Sequence, residues 1–166
     1  FYCLDATTGK PKWQFDTEAE INSGANFHHA NVLVTSQDGR LYCLAAGTGE
    51  LVWKYESGDQ IRSFPTVADG HTFIAGCDGR LHVVDLSEGK LVRQVELDGP
   101  TGCTAAVIGT MAYVGTEGGA FLGIDWQKGE VDVEQSATAL HASRVVRTGS
   151  DVTLVGHGAI VTTLLE

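Results

Sequence analysis

Glycine stands at positions 9, 49, 89 and 129, and around that 40-residue beat one pattern repeats along the chain without an insertion. The copies read FYCLDATTGKPKWQF from Phe1, LYCLAAGTGELVWKY from Leu41, LHVVDLSEGKLVRQV from Leu81 and FLGIDWQKGEVDVEQ from Phe121. VTTLLE, from Val161, opens a fifth. A period of about 40 to 45 residues built from short apolar runs and glycine turns points to propeller blades rather than a helical solenoid. The chain is therefore expected to be all-β: a β-propeller of four-stranded antiparallel blades, about four of them.

Within the unit that follows Gly58, the pattern predicts strands over residues 61–67, 72–76, 80–85 and 91–97. Asp38-Gly39 and Asp78-Gly79 separate second from third strands and read as two-residue hairpin turns in which both positions take positive φ. The beat glycines, Gly9, Gly49, Gly89 and Gly129, fall between third and fourth strands at the left-handed position of a turn. Third strands such as 41–46 are apolar at successive positions, as a sheet covered on both faces requires. Ser23, Ser63, Cys103 and Ser143 share one position of the first strand, where crowding at the ring axis explains small residues without a catalytic serine. Trp13 and Trp53 share a position on the fourth strand, where an indole can bury one face against the next blade while its N–H reaches a backbone acceptor. Arg93 and Val133 replace them in later copies, which predicts different packing there, and Trp126 lies off this register. The resulting division is one propeller segment, 1–166: the end of a blade at 1–17, full blades at 18–57, 58–97 and 98–137, and a partial blade at 138–166.

With 21 acidic against 11 basic residues the net charge is −10. A field of that sign repels phosphate backbones, so no nucleic-acid partner is expected. No apolar run reaches the ~20 residues of a membrane span. Four cysteines are present. Cys3 and Cys43 occupy equivalent positions one repeat apart, about 10 Å or more in face-packed blades, beyond the ~7 Å Cα separation a disulfide bridges. His28-His29 are neighbours that a strand would point to opposite faces, and Gln37, Cys77, Glu117 and His157 recur one blade apart, so no metal site is expected.

The phrase Leu4-Asp5-x-x-Thr8-Gly9-Lys10-x-x-Trp13 resembles the tryptophan-docking repeat of the pyrroloquinoline-quinone-type β-propellers. Leu44, Thr48, Gly49, Glu50 and Trp53 match again, with Ala45 in place of the Asp, and later copies keep Asp85, Gly89, Asp125 and Gly129. The resemblance covers essentially the whole chain and implies the fold. It implies either quinone-dependent alcohol or sugar dehydrogenases, with pyrroloquinoline quinone (PQQ) and calcium as cofactors, or cofactor-free members similar to the periplasmic scaffold of the outer-membrane β-barrel assembly machine. The second branch implies a periplasmic or extracytoplasmic location. Rings of this kind close with about seven or eight blades, and the chain both opens and closes in a third strand. It reads as a window from a longer array, its remaining blades supplied elsewhere, with a dimer of half-rings as the alternative.

The dehydrogenase branch is implied to need a Glu, Asn and Asp ligand set, a catalytic Asp and often a vicinal Cys-Cys pair. No Cys-Cys dipeptide exists in the sequence, and Asn22, Asn26 and Asn31 are the candidates for the amide ligand. No catalytic residue and no cofactor are assigned. The expected role is a non-catalytic scaffold for protein or ligand recognition, with Asn22, Arg62, His141 and Arg144 at the axial entrance where fourth strands pass to first strands.

Overall fold

In the computed structural model, residues 1–136, 152–153 and 164–165 are described, and every regular element among them is a strand. Three consecutive units form four-stranded antiparallel meanders. The first contains β3 (Asn26–His28), β4 (Asn31–Thr35), β5 (Arg40–Ala45) and β6 (Leu51–Glu56); the second β7 (Thr66–Ala68), β8 (His71–Ala75), β9 (Arg80–Asp85) and β10 (Leu91–Glu96). The third contains β11 (Ala106–Ile108), β12 (Met111–Gly115), β13 (Ala120–Asp125) and β14 (Glu130–Ser136). Before them β1 (Tyr2–Leu4) pairs with β2 (Pro11–Gln14), and after them β15 (Val152–Thr153) pairs with β16 (Leu164–Leu165). The fold is all-β, a partial propeller of four-stranded antiparallel blades.

The core lies between blades, because alternate residues of a strand face opposite sides of its sheet. On β4 and β5, Val32, Val34, Tyr42 and Leu44 face back onto Phe1, Trp13 and Phe15 of the first hairpin. The intervening Leu33, Leu41 and Cys43 face forward onto Ile61, Ile74 and Leu86. The same alternation on β8 and β9 sends Phe73, Leu81 and Val83 forward onto Ala112, Val114, Leu122 and Ile124. Second and third strands are thereby buried on both faces, whereas the fourth strand β6 alternates between exposed and half-buried.

Two expectations need correction. The first strand is not 61–67 but Thr66–Ala68. Residues 61–65 hydrogen-bond to neighbouring blades instead of to a ladder: Ile61 N donates to Ser36 O at 3.3 Å and Phe64 N to Thr104 Oγ1 at 3.0 Å. Pro65 has no N–H to offer, and its carbonyl accepts Asn26 Nδ2 at 3.0 Å. The turns at Asp38-Gly39 and Asp78-Gly79 have only the glycine at positive φ, 80° and 71°. Ser36 N donates to Arg40 O and Gly39 N to Ser36 O, a longer loop closed by a left-handed glycine. A turn with both residues left-handed does occur one hairpin earlier, at Asp69 (47°) and Gly70 (73°).

Each hairpin of third and fourth strands carries a feature the repeat pattern did not reveal. Register shifts by one between Cys3/Leu4, Cys43/Leu44, Leu91/Arg93 and Gly123/Ile124. One residue is therefore unpaired just before positions 13, 53, 93 and 133. A bulge there twists the strand and re-aims the side chain that follows it.

Candidate functional site

The re-aimed side chains bind blade to blade. Trp13 Nε1 donates to Ala46 O at 3.0 Å and Trp53 Nε1 to Leu86 O at 3.1 Å, each acceptor lying in the turn of the next blade. The indoles lie on the next beat glycine: a Cβ on Gly49 or Gly89 would stand 2.6 or 2.5 Å from a ring carbon. Those glycines thus serve two needs, a positive φ of 77° and 68° and a flat seat. At the third seam Arg93 takes the Trp position, its Nη1 donating to Lys128 O at 3.1 Å beside Gly129.

Trp126 gives that seam an indole from the opposite side. It is buried, donates Nε1–H to Gly109 O at 3.0 Å, and meets Phe73 edge-on with centroids 5.3 Å apart. The loss of Trp at position 93 is thereby offset by a Trp reaching back from the following blade. Nothing in the repeat register signals this pairing.

The turn aspartates hold the seats in shape. Asp5 Oδ1 accepts Thr8 N at 2.8 Å and Thr7 N at 3.1 Å; Asp85 Oδ1 accepts Ser87 Oγ, Ser87 N and Glu88 N; Asp125 Oδ1 accepts Lys128 N at 3.0 Å. These donors keep all three carboxyls below the usual carboxylate range, led by the Thr8 amide, the Ser87 hydroxyl and the Lys128 side chain respectively. At Ala45 the backbone carbonyl alone receives Thr48 N and Gly49 N.

Of the residues expected at an axial entrance, Asn22 and Arg62 are both exposed, and Arg62 Nη2 donates to Gln60 Oε1 at 3.0 Å. The other two entrance residues, His141 and Arg144, lie outside the described residues. Behind the rim, Thr35 Oγ1 donates to Ser63 O at 2.6 Å and Thr66 Oγ1 to Ala105 O, joining inner segments of successive blades. Ser63 is fully buried with Oγ bonded to Ala75 O at 2.7 Å, so its hydroxyl is a tie within the frame.

His28 ends β3 while His29 sits in the turn at φ 52°, which corrects the opposite-faces expectation: their rings lie side by side with centroids 4.1 Å apart. Among the described residues no group of three or more His, Cys, Asp or Glu side chains converges. Asn26 is engaged through Nδ2 to Pro65 O and Oδ1 from Phe27 N. All four cysteines are free thiols, and burial pushes that of Cys43 up to about 11, away from thiolate chemistry.

The backward face of the first hairpin is far more exposed than its counterpart one repeat on. Tyr2 is 60% exposed and Leu4 53%, whereas Tyr42 and Leu44, their counterparts one repeat on, are 5% and 0% exposed. Phe27 is 64% exposed beside them, and no atom lies within 4 Å of where a Cβ on Gly9 would point. A groove of about 230 Å³ runs between β1 and the following blade, lined by Phe1, Cys3 and Trp13 on one side and Phe27, Val32 and Ala46 on the other.

The model of a family described as the outer membrane protein assembly factor BamB matches residues 2–163. No curated protein matches the chain. Among solved structures, BamB from Moraxella catarrhalis is 22% identical, with a TM-score of 0.72 over 81% of this chain and 45% of that one. The computationally designed Ika8 protein is similar at 15% identity and a TM-score of 0.71, over 81% and 42%. The designed Ika4 protein is 16% identical with a TM-score of 0.65, over 72% and 74%. The chain thus spans less than half the length of the first two.

Proposed function

Because the chain belongs to the family of the outer membrane protein assembly factor BamB, we propose that it is a non-catalytic propeller scaffold that recognises protein at the outer membrane's periplasmic side. The observation that carries this reading is the contrast between Tyr2 and Leu4, open, and Tyr42 and Leu44, covered. The chain presents a blade face patterned to be covered by protein, and in this reading further blades of the same propeller cover it. The rest of the ring then offers its axial entrance, with Asn22, Arg62, His141 and Arg144, to a partner.

Two experiments test the proposal. Purified chain loaded with PQQ and calcium is expected to give no dye reduction with alcohols or sugars; turnover would instead assign it to the dehydrogenases. Replacing Asn22 and Arg62 together by alanine is expected to weaken binding to a partner recovered from the cell envelope while leaving the melting temperature nearly unchanged, since exposed substitutions stay within about 0.5 kcal/mol. Normal binding by that variant, with loss on changing Asp69 and His71 at the opposite rim, would move the recognition face.

A further inference from the structure

One place in the frame recurs at three seams with three different chemistries. At the first, Phe15 meets Tyr42 edge-on at 5.2 Å, and Tyr42 OH donates to Asp38 Oδ2 at 2.7 Å. At the third, Val95 and Leu122 lie in one apolar cluster and Gly118 replaces the aspartate. At the second, Tyr55 of β6 and His82 of β9 meet edge-on at 5.7 Å, with Tyr55 OH 2.9 Å from His82 Nδ1 and His82 Nε2 2.7 Å from Asp78 Oδ2. His82 is 1% exposed.

The hydrogen-bond inventory sets the protonation state. Asp78, a carboxylate, only accepts, so Nε2 carries the hydrogen, which leaves Nδ1 as the acceptor for the Tyr55 hydroxyl. A neutral ring satisfies all three residues at once. A second proton would put N–H on Nδ1 facing that hydroxyl, which would have to turn and give up its acceptor inside a seam. The charged neighbours divide: Asp78 favours the proton, and the nearby Arg80, itself bridged to Glu96 at 3.4 Å, opposes it. The residues paired with His82 across the sheet, Ile74 on β8 and Gln94 on β10, carry no charge.

We infer that the seam between the β3–β6 and β7–β10 blades is a proton-sensitive joint, closed by the Tyr55–His82–Asp78 chain when His82 is neutral and loosened when the ring is protonated. Burial, the largest influence, holds the His82 ring below the ordinary histidine range despite Asp78. A histidine depressed in the closed state contributes stability that is complete above the ordinary value of about 6.5 and is lost as pH falls below it, until the closed-state value is passed. The opening equilibrium then rises by up to about tenfold per pH unit in that window. The other two seams have no histidine at this place.

The test is a titration of the full chain from pH 7.5 to 5.0, read two ways. Imidazole nitrogen NMR is expected to show His82 as the Nε2–H tautomer with a midpoint below 6.5. Hydrogen exchange, corrected for its intrinsic pH dependence, is expected to show β6 and β9 losing protection relative to β12 and β13, by up to about tenfold per unit below pH 6.5. His82→Tyr copies the Tyr42–Asp38 bond of the first seam and is expected to remove the selective loss. Tyr55→Phe keeps the histidine but removes its donor, and is expected to raise exchange already at pH 7.5 and flatten its acid dependence. A His82 midpoint at or above 6.5, or the same acid loss in His82→Tyr as in the unaltered chain, would overturn the proposal. Should His82→Tyr not fold, the midpoint and the Tyr55→Phe profile decide.

Discussion

Gly89→Ala separates the two demands placed on a beat glycine. At φ 68° a Cβ costs about 1 kcal/mol through the left-handed backbone alone. The same Cβ would stand 2.5 Å from Trp53 Cδ2, so the indole must leave its seat and its bond to Leu86 O. A fully buried Trp→Ala change costs about 3 to 5 kcal/mol; Trp53 is half-buried, so displacement is worth about 2. Gly89→Ala is therefore expected to lose about 3 kcal/mol in urea unfolding followed by circular dichroism. Gly9→Ala, at φ 69° with nothing near its Cβ, should lose only about 1. In a Trp53→Ala background the cost of Gly89→Ala should fall to about 1 kcal/mol, a coupling of about 2 between residues whose contact crosses blades. Equal losses for Gly9→Ala and Gly89→Ala, or an undiminished loss in the Trp53→Ala background, would refute the seat.

Two further substitutions test the frame. Thr72 is fully buried and its hydroxyl has no hydrogen-bond partner, so Thr72→Val, which keeps the shape, is expected to raise stability by about 1 kcal/mol in the same urea assay. Ala45→Asp would give its turn the carboxylate that Asp5 and Asp85 supply in theirs, and is expected to add about 0.5 kcal/mol at pH 7. Because such a carboxyl is held low in the folded turn, the gain should be complete above the ordinary carboxylate value and vanish as pH falls through the lowered one, so melts at pH 7 and pH 3 should differ in it.

The fold was legible because three signals agree at every copy: the beat glycine, third strands without alternation, and a small residue near the axis. What stayed illegible involves partners from another repeat. Ser63 and Pro65 read as strand residues until Thr35 and Asn26 are seen to take their carbonyls. Trp126 had no account because its role depends on Phe73 across the seam and on Gly109 behind it. The two-residue turn was expected at Asp38-Gly39, whereas Asp69-Gly70 has the same dipeptide and the true geometry; the dipeptide alone does not report the length of the loop around it. His82 could be read as a titratable group in an apolar strand, yet Tyr55, whose hydroxyl meets its Nδ1 across the seam, is 27 residues away.

Function was less legible for a physical reason. A propeller repeat uses its recognisable residues on the frame: Gly49 and Gly89 seat indoles, Asp5 and Asp85 brace turns, and Ser63 ties inner segments. What remains for recognition varies from copy to copy, and the side chains at the entrance carry no chemistry that names a ligand. The repeat nevertheless provides its own reference for a contact surface, because each position has counterparts whose burial is known. Leu44 is fully buried by the blade before it, and burying a leucine is worth about 1.5 to 3 kcal/mol, so Leu4 at 53% exposure retains a large part of that free energy. With Tyr2 exposed beside it, the first hairpin keeps apolar surface in contact with water that its counterparts Tyr42 and Leu44 bury against a neighbouring blade.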